Sequence, residues 1–149
     1  MCTRINKELT ASMKNKLKPT GNIAWKIVEE KDGEYVAPLA HSRYRYNKNR
    51  KSVAAGVPSM FGTVSDGVFH LFSCRALPRK VMAIMRSING YRYKKFKLVK
   101  VVYSKEDFYG AGENVNFAHQ YDKLWGQHPN KAICVKGFEF VEDRFPDFP

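Results

Sequence analysis

Hydrophobic positions recur with helix or strand spacing along the N-terminal part of the chain. In Lys7–Leu17 the apolar residues fall on every fourth position, which predicts a short amphipathic helix ending before Pro19. In Ile23–Glu29 the alternate residues Ile23, Trp25 and Ile27 are apolar, a pattern typical of a half-buried strand. The dipeptide Asp32-Gly33 then predicts a tight turn, and Glu34–Pro38 returns as the second strand of a hairpin.

The rest of the chain predicts a loop, a strand, a helix and two further strands. His41–Met60 has no sustained period and is interpreted as a surface loop, whereas Gly67–Ser73 alternates as a strand does. Pro78–Asn89 has one apolar stripe and predicts the main helix, and Tyr93–Tyr103 and Lys131–Val141 predict strands. These elements indicate an α+β fold. It has a single mainly antiparallel sheet, formed by the hairpin, a strand–helix–strand unit and a closing strand, with one main helix packed on it.

Length and composition favour one globular domain. The chain has 149 residues, 44% of them hydrophobic, so a domain spanning 1–149 is expected, with an N-terminal helical segment at 1–19 and a tail at 142–149. No apolar run approaches the roughly 20 residues that span a bilayer, and residues 1–18 lack the apolar region of a secretory signal. The odd set Cys2, Cys74 and Cys134 fits a reducing cytosol rather than a disulfide framework.

The positive charge is concentrated in the middle of the chain. Of the 26 Lys and Arg residues, 15 lie between Tyr35 and Lys105, where Asp66 is the single acid. The formal charge of +12 therefore comes from this block, which is expected to attract polyanions because each cation near a phosphate releases condensed counterions.

Two clusters within this block interleave cations with tyrosines and form the candidate nucleic-acid-binding site. Tyrosine rings can stack on exposed bases while the neighbouring cations contact phosphates, and the same residue types could clamp one nucleotide. Two alternatives involve no binding function: the first cluster is a solvated loop whose tyrosines pack inward, and the second is a strand edge that lysines protect from aggregation. We hypothesise that both clusters line one face. Their residues are Arg43, Tyr44, Arg45, Tyr46, Lys48, Arg50 and Lys51 in the first and Arg92, Lys94, Lys95 and Lys97 in the second.

Other residues suggest weaker candidate chemistry. His70 lies in the predicted strand, four residues before Cys74, and is interpreted first as a hydrogen-bonded structural histidine and second as a base. Tyr109–Glu113 contains two glycines and is interpreted as a flexible turn, or else as a backbone nest for an anion. A pocket containing His70, Tyr109 and Glu113 is the site that an enzyme would use. The spacing of His119, His128 and Cys134 fits no common zinc motif, so no metal and no cofactor is predicted.

The order of short motifs resembles that of a loose group of small, uncharacterised, mostly phage-encoded proteins. That pattern has an aromatic-Lys strand, an Asp-Gly turn, a Tyr-rich basic stretch and a Gly-[Phe/Val]-His-x-Phe strand leading into a helix. Two hydrophobic strands close it. The resemblance implies a phage or mobile-element accessory protein in a bacterial cytoplasm and implies no catalytic residue. The matching segments are Trp25-Lys26, Asp32-Gly33, Tyr44, Tyr46, Gly67–Phe72, Val99–Val101 and Ala132–Val135.

Charge and resemblance together lead to three functional hypotheses. The first is a non-enzymatic module that binds nucleic acid, or a host complex containing it, and inhibits a bacterial defence system in the manner of an anti-CRISPR protein. The second is an enzyme that binds or modifies nucleotides in a pocket near His70. The third is a module that binds an acidic protein surface. A membrane partner is not predicted, and the oligomeric state stays open.

Overall fold

Eleven strands and two α-helices form the part of the chain that the computed structural model describes, namely residues 3–38, 44–58, 63–64, 67–88, 90–91, 93–114 and 132–141. In chain order the elements are β1 (Thr3–Ile5), α1 (Lys7–Lys16), β2 (Asn22–Lys31), β3 (Glu34–Val36), β4 (Arg45–Tyr46), β5 (Ser52–Val53), β6 (Thr63–Val64), β7 (Phe69–Phe72), α2 (Ala76–Ser87), β8 (Phe96–Tyr103), β9 (Phe108–Asn114), β10 (Ala132–Val135) and β11 (Gly137–Phe140).

The strands form one mainly antiparallel sheet, which confirms the predicted α+β class. Its order is β5-β11-β8-β2-β7-β10-β9-β1-β6. Outside this order, β3 pairs with β2, and β4 pairs with β3. Strand β2 is central, because it pairs with β8 from Asn22 to Glu29 and with both β7 and β3 on its other side.

The sheet curls around an inner apolar face. Strands β10 and β11 are separated by Lys136 alone, yet the path across the sheet leads from β11 through β8, β2 and β7 to β10. The sheet therefore returns to the same stretch of chain, and the side chains on its inner face are removed from water. Its buried residues include Ala24, Val28, Phe69, Leu71, Val99, Val101, Ile133, Val135 and Phe138.

Helix α2 covers part of the outer face. Its apolar stripe of Leu77, Val81 and Met85 packs in one cluster with Ile27 and Phe72 of the sheet. The helix begins two residues before the predicted Pro78 and ends at Ser87, a normal difference for helix ends.

Helix α1 matches its prediction closely. The Asn6 side chain accepts a hydrogen bond from the Leu9 N–H at 2.9 Å, which caps its first turn. Within the described residues, no helix is both long and apolar enough to cross a membrane.

The predicted hairpin is confirmed. Strands β2 and β3 pair from Glu29 to Val36, and the two turn residues Asp32 and Gly33 both have positive φ, at 53° and 77°. Two successive positive φ values are the signature of a type I′ turn, the connection that matches strand twist. Asp and Gly are residues that tolerate this conformation, which explains why the dipeptide was an informative signal.

The alternation in β2 predicted a half-buried strand, but in the structure both faces of β2 are covered. Ala24, Lys26 and Val28 lie on the inner face and are buried, whereas Ile27 and partly Trp25 are covered by α2 on the outer face. Both faces are covered because the sheet curls on one side and the helix packs on the other. Ile23, predicted to face the core, is 46% exposed.

Four further expectations need correction. Tyr109–Glu113 is not a turn but lies within β9, between β10 and β1. The predicted loop at His41–Met60 contains β4 and β5, which pair with β3 and β11. The strand predicted from Tyr93 begins only at Phe96, and the closing strand is interrupted at Lys136. The sequence also predicts a helical turn at Gln120–Trp125. This segment lies outside the described residues, as do the tail at 142–149, His119 and His128.

Candidate anion-binding surface

The two basic clusters meet at the ring of Tyr35. The Lys48 Nζ lies 4.1 Å from the centroid of this ring, and the Lys97 Nζ lies 5.6 Å from it. The Lys97 Nζ also donates a hydrogen bond to the Tyr35 hydroxyl at 3.2 Å. One ring thus gathers ammonium groups from two segments that are far apart in sequence, an arrangement that cation–π attraction favours.

Backbone pairing explains why these side chains converge. Tyr35 of β3 pairs with Tyr46 of β4, so the chain that follows β4 passes close to β3. There the Asn49 N–H donates to Asn47 Oδ1 at 2.9 Å, and the Lys48 Nζ donates to the Gly33 carbonyl at 3.0 Å. Lys97 reaches the same place because β8 pairs with β2, with Lys97 opposite Val28.

Two neighbouring cavities open around Lys48. The first has a volume of about 260 Å³, and its walls combine apolar side chains with three lysines: they are Tyr35, Lys48, Asn49, Lys97, Val99, Lys100, Phe140 and Val141. The second has a volume of about 410 Å³ and is lined by Gly33, Glu34, Arg45, Tyr46, Asn47, Lys48 and Asn49. Lys48 and Asn49 therefore form the shared wall. We call the two cavities and this wall the Lys48 surface.

Carboxylates compensate part of the positive charge. Arg45 pairs with Glu34, Lys94 with Glu29 at 3.7 Å, and Lys97 with Glu30 at 4.0 Å. The Arg45–Glu34 and Lys97–Glu30 pairs are exposed, and such pairs contribute little energy and leave the cations able to exchange partners, whereas the Lys94–Glu29 pair is partly buried. Lys48, Arg50, Lys95 and Lys100 make no ion pair with any carboxylate in the described ranges.

The predicted stacking role of Tyr46 is wrong. Tyr46 is only 8% exposed, and its ring packs in edge contacts against Phe69, Phe138 and Phe140. Burial raises the pKa of its hydroxyl above the ordinary value. Tyr44 is 38% exposed, and its ring lies 5.0 Å from that of Tyr46. The inward-packing alternative therefore describes Tyr46.

The remaining basic candidates lie in different surroundings. Lys51 contacts Asp107 at 2.6 Å and lines a separate cavity of about 230 Å³ near Ser104 and Tyr103. The hydrogen bond to Asp107 raises the pKa of Lys51. Lys94 and Lys95 precede β8 in a turn, where the Lys94 Nζ lies 4.9 Å from the Tyr91 ring centroid. Arg43 and Arg92 lie outside the described residues.

His70 has the structural role that its sequence position suggested first. It is 8% exposed, and its Nδ1 lies 2.9 Å from the Thr3 Oγ1 and 3.7 Å from the Cys134 Sγ. The nearby sulfur is thus that of Cys134, its cross-strand neighbour, rather than that of Cys74. Burial raises the pKa of the Cys134 thiol to about 11, so this thiol is a poor nucleophile near neutral pH.

Tyr109 and Glu113 lie in β9, which pairs with β10 and is separated by it from the strand of His70. Tyr109 is 38% exposed, and Glu113 lies opposite Arg4 of β1 in the sheet register. The two residues are held by strand pairing, which leaves them no loop from which to close over a ligand. The backbone nest proposed for the two glycines does not form, because both glycines have extended strand conformation and neither has a positive φ.

Lys26 is a buried lysine that sequence reasoning missed. It is 5% exposed, and its Nζ lies 5.2, 5.8 and 5.7 Å from the ring centroids of Tyr46, Phe69 and Phe138. The Nζ donates one hydrogen bond, at 3.3 Å, to the His70 carbonyl. Burial lowers its pKa to about 7. The nearly continuous apolar run around Lys26 was a usable signal, since such runs are typical of strands covered on both faces.

No protein-family model matches this chain, and neither a curated protein nor a solved structure matches it. The class of protein is accordingly defined by its own fold and surface. It is a basic α+β protein with a curled antiparallel sheet and a lysine-rich surface formed by residues of β3, β8 and β11 and by the residues that follow β4. Any function for it has to be argued from that surface.

Proposed function

We propose that the protein binds nucleic acid, or a host complex that contains nucleic acid, through the Lys48 surface. The observation that carries this proposal is the convergence of Lys48 and Lys97 on Tyr35, beside a cavity that Lys100 also lines. No carboxylate side chain lines that cavity among the described residues. A site with several ammonium groups and no acid in its wall suits a ligand with repeated negative charge.

Electrostatics favours a polyanion over a single anion. The chain carries a formal charge of +12, and its central block supplies both clusters. Exposed lysines hold one small anion weakly in salt solution, because each pair is screened by water and ions. A polynucleotide gains from many such contacts at once and releases a counterion at each, so the same surface binds it far more tightly.

The biological role is proposed from the phage-type resemblance together with the charge. A phage accessory protein of this sign would inhibit a bacterial defence complex by occupying the path of its guide RNA or target DNA. It would not imitate DNA, because a DNA mimic has to be acidic. The resemblance supports this setting, and the Lys48 surface supplies the contacts.

The enzymatic hypothesis has less support from the geometry. It needs His70 in a cavity with a carboxylate, whereas His70 is buried against Thr3 and Cys134. The hypothesis of an acidic protein partner uses the same cations, and it becomes one outcome of the test below.

Reversing two charges on the Lys48 surface is expected to weaken nucleic-acid binding at least tenfold. The double variant Lys48→Glu with Lys97→Glu removes both ammonium groups at Tyr35 and adds repulsion. Binding of a labelled oligonucleotide would be followed by fluorescence anisotropy over a series of salt concentrations. The slope of log K against log salt should decrease by about 1.5 in magnitude, since each lost phosphate contact accounts for about 0.7 to 0.9.

Lys7→Glu is the matched control for this charge reversal. Lys7 is an exposed residue of the first turn of α1, where an acidic side chain is compatible with the helix dipole. This variant should keep most of the affinity although the net charge changes equally per residue. Lys48→Glu and Lys97→Glu would also be measured one at a time. If each of them lost no more affinity than Lys7→Glu, a localised site would be contradicted. Absence of nucleic-acid binding, with binding of an acidic protein instead, would overturn the proposal in favour of the protein-interaction hypothesis.

A further inference from the structure

We infer that the Lys48 surface selects a single strand over a duplex, because its cavity of about 260 Å³ accepts an unpaired base. This inference rests on the proposed function and names the ligand class. It depends on the apolar part of the cavity wall, whereas the proposed function depends on the cations.

The wall of this cavity has an apolar side that a phosphate alone would leave unused. Val99, which is only 6% exposed, lines the cavity. Phe140, the last residue of β11, and Val141, which follows it, line the cavity as well. The Tyr35 and Phe140 rings are in edge contact, with centroids 5.3 Å apart. A ligand that fills the cavity therefore has to present an uncharged, largely apolar group.

The cations next to this wall fix what has to be attached to the apolar group. The Lys97 Nζ reaches the Tyr35 hydroxyl, and the Lys48 Nζ lies over the same ring. A base placed against Phe140 would have its own phosphate within reach of these ammonium groups. A nucleobase with its phosphate matches both requirements, since the combination of basic groups and apolar or aromatic side chains is how proteins bind single strands.

A duplex cannot use the cavity in the same way. Its bases are paired and stacked inside, so it presents mainly phosphates to a protein, and one base would have to leave the stack before it could enter. The duplex is therefore limited to the electrostatic part of the interaction. A single strand adds the burial of one base to the same phosphate contacts.

The second cavity provides room for the next nucleotide. It has a volume of about 410 Å³ and shares the wall formed by Lys48 and Asn49. Asn47 supplies an amide and Arg45 a guanidinium there. A strand that passes over Lys48 would place successive nucleotides in the two cavities. The base-binding role predicted for Tyr46 thus moves to the cavity beside Tyr35 and Phe140.

The test compares one oligonucleotide, about 12 nucleotides long, as a single strand and as the annealed duplex. Affinities of the intact chain for both would be measured by fluorescence anisotropy in the same buffer. We expect the single strand to bind roughly tenfold more tightly, the range that burial of one base against protein side chains provides. Val141→Trp, which fills the cavity, should lower the affinity for the single strand more than the affinity for the duplex and so remove this preference.

Val53→Trp is the matched control, because Val53 is 61% exposed on β5 and lines neither cavity. It should keep the preference for the single strand. Phe140→Leu is a second variant, which should reduce the preference without filling the cavity, and urea titration of each variant checks that it folds. Equal or tighter binding of the duplex by the unmodified chain would overturn the inference and leave the proposed function standing. Failure of both forms to bind would overturn the proposed function and this inference with it.

Discussion

Replacing Gly112 with alanine is expected to destabilise the fold by about 4 kcal/mol or more. A Cβ at this position would overlap the Arg4 carbonyl oxygen and lie 2.7 Å from the carbonyl carbon. Both atoms belong to the backbone of β1, which pairs with β9 through Ile5 and Gly112. The clash can be relieved only by separating the two strands, and this would also withdraw Thr3 from His70. The free energy of unfolding, measured by urea titration, tests the prediction.

Gly110→Ala is the matched control in the same strand. There the new Cβ would meet the Ile5 Cδ1 at 3.1 Å, its Cγ2 at 3.3 Å and the Thr10 Oγ1 at 3.4 Å, and all three are side-chain atoms that can shift. Its expected cost is below about 2 kcal/mol, in the range for mild overpacking. Similar losses for the two alanine variants would show that β1 does not approach β9 as closely as the structure has it.

Folding stability is expected to increase as the pH rises from about 7 to about 10, because of Lys26. Burial lowers the pKa of this amine from 10.5 to about 7 in the folded chain, whereas the unfolded chain regains 10.5. Between these two values the unfolded state binds more protons, so a higher pH favours the folded state. Below pH 7 both states are protonated and the full penalty, on the order of 5 kcal/mol, is present. From pH 7 to pH 9 the gain should be about 2 kcal/mol.

Lys26→Met isolates this effect, since it keeps a long side chain among the three rings and removes the amine. The other titratable groups that interact with Lys26 remain in the methionine variant, so their own pH dependence cancels in the comparison of the two proteins. Burial raises the pKa of Cys134 to about 11 and that of Tyr46 higher still. Urea titrations at pH 7, 8 and 9 should show that the methionine variant is the more stable at pH 7 and that its advantage shrinks as the pH rises. A constant difference between the two proteins across these pH values would contradict a buried neutral amine.

Lys26 also connects the core to the Lys48 surface. Its Nζ lies against the inner side of Tyr46, and Tyr46 lines the cavity of about 410 Å³. The same tyrosine pairs with Tyr35 across β3 and β4. The aromatic cluster around Lys26 therefore supports the residues that form the proposed binding surface, and the methionine variant should preserve this support by packing.

Local pattern predicted the elements whose identity depends on near neighbours. The Asp32-Gly33 turn, helix α1 and helix α2 follow from turn chemistry and helical spacing, which act over a few residues. Alternation along β8 also places Lys97 on the same side as Val99 and Val101, and in the structure Lys97 is exposed whereas the two valines are buried. Alternation along one strand is enough to establish such a relation.

The errors have a common physical cause in contacts between distant segments. Glycines at 110 and 112 resemble a turn when only the local sequence is considered, yet both lie in β9, and β1 passes so close to Gly112 that a side chain would not fit there. Tyr46 has the composition of a stacking residue, but the curled sheet places Phe69, Phe138 and Phe140 around it. The carboxylates that pair with Arg45, Lys94 and Lys97 come from the β2–β3 hairpin. A count of charges along the basic block leaves these carboxylates out, because they precede the block in sequence.

By itself, the sequence determined the α+β class, the hairpin, the two helices and a block of positive charge in the middle of the chain. These properties depend on periodicity, turn residues and composition, which neighbouring residues carry together. Only the tertiary structure decided that Lys48 and Lys97 meet at Tyr35, that Phe140 borders the same cavity, and that Lys26 is enclosed by rings. The register of β2 with β3 and β8, together with the curl of the sheet, brings these residues together, and neither is encoded within a single segment.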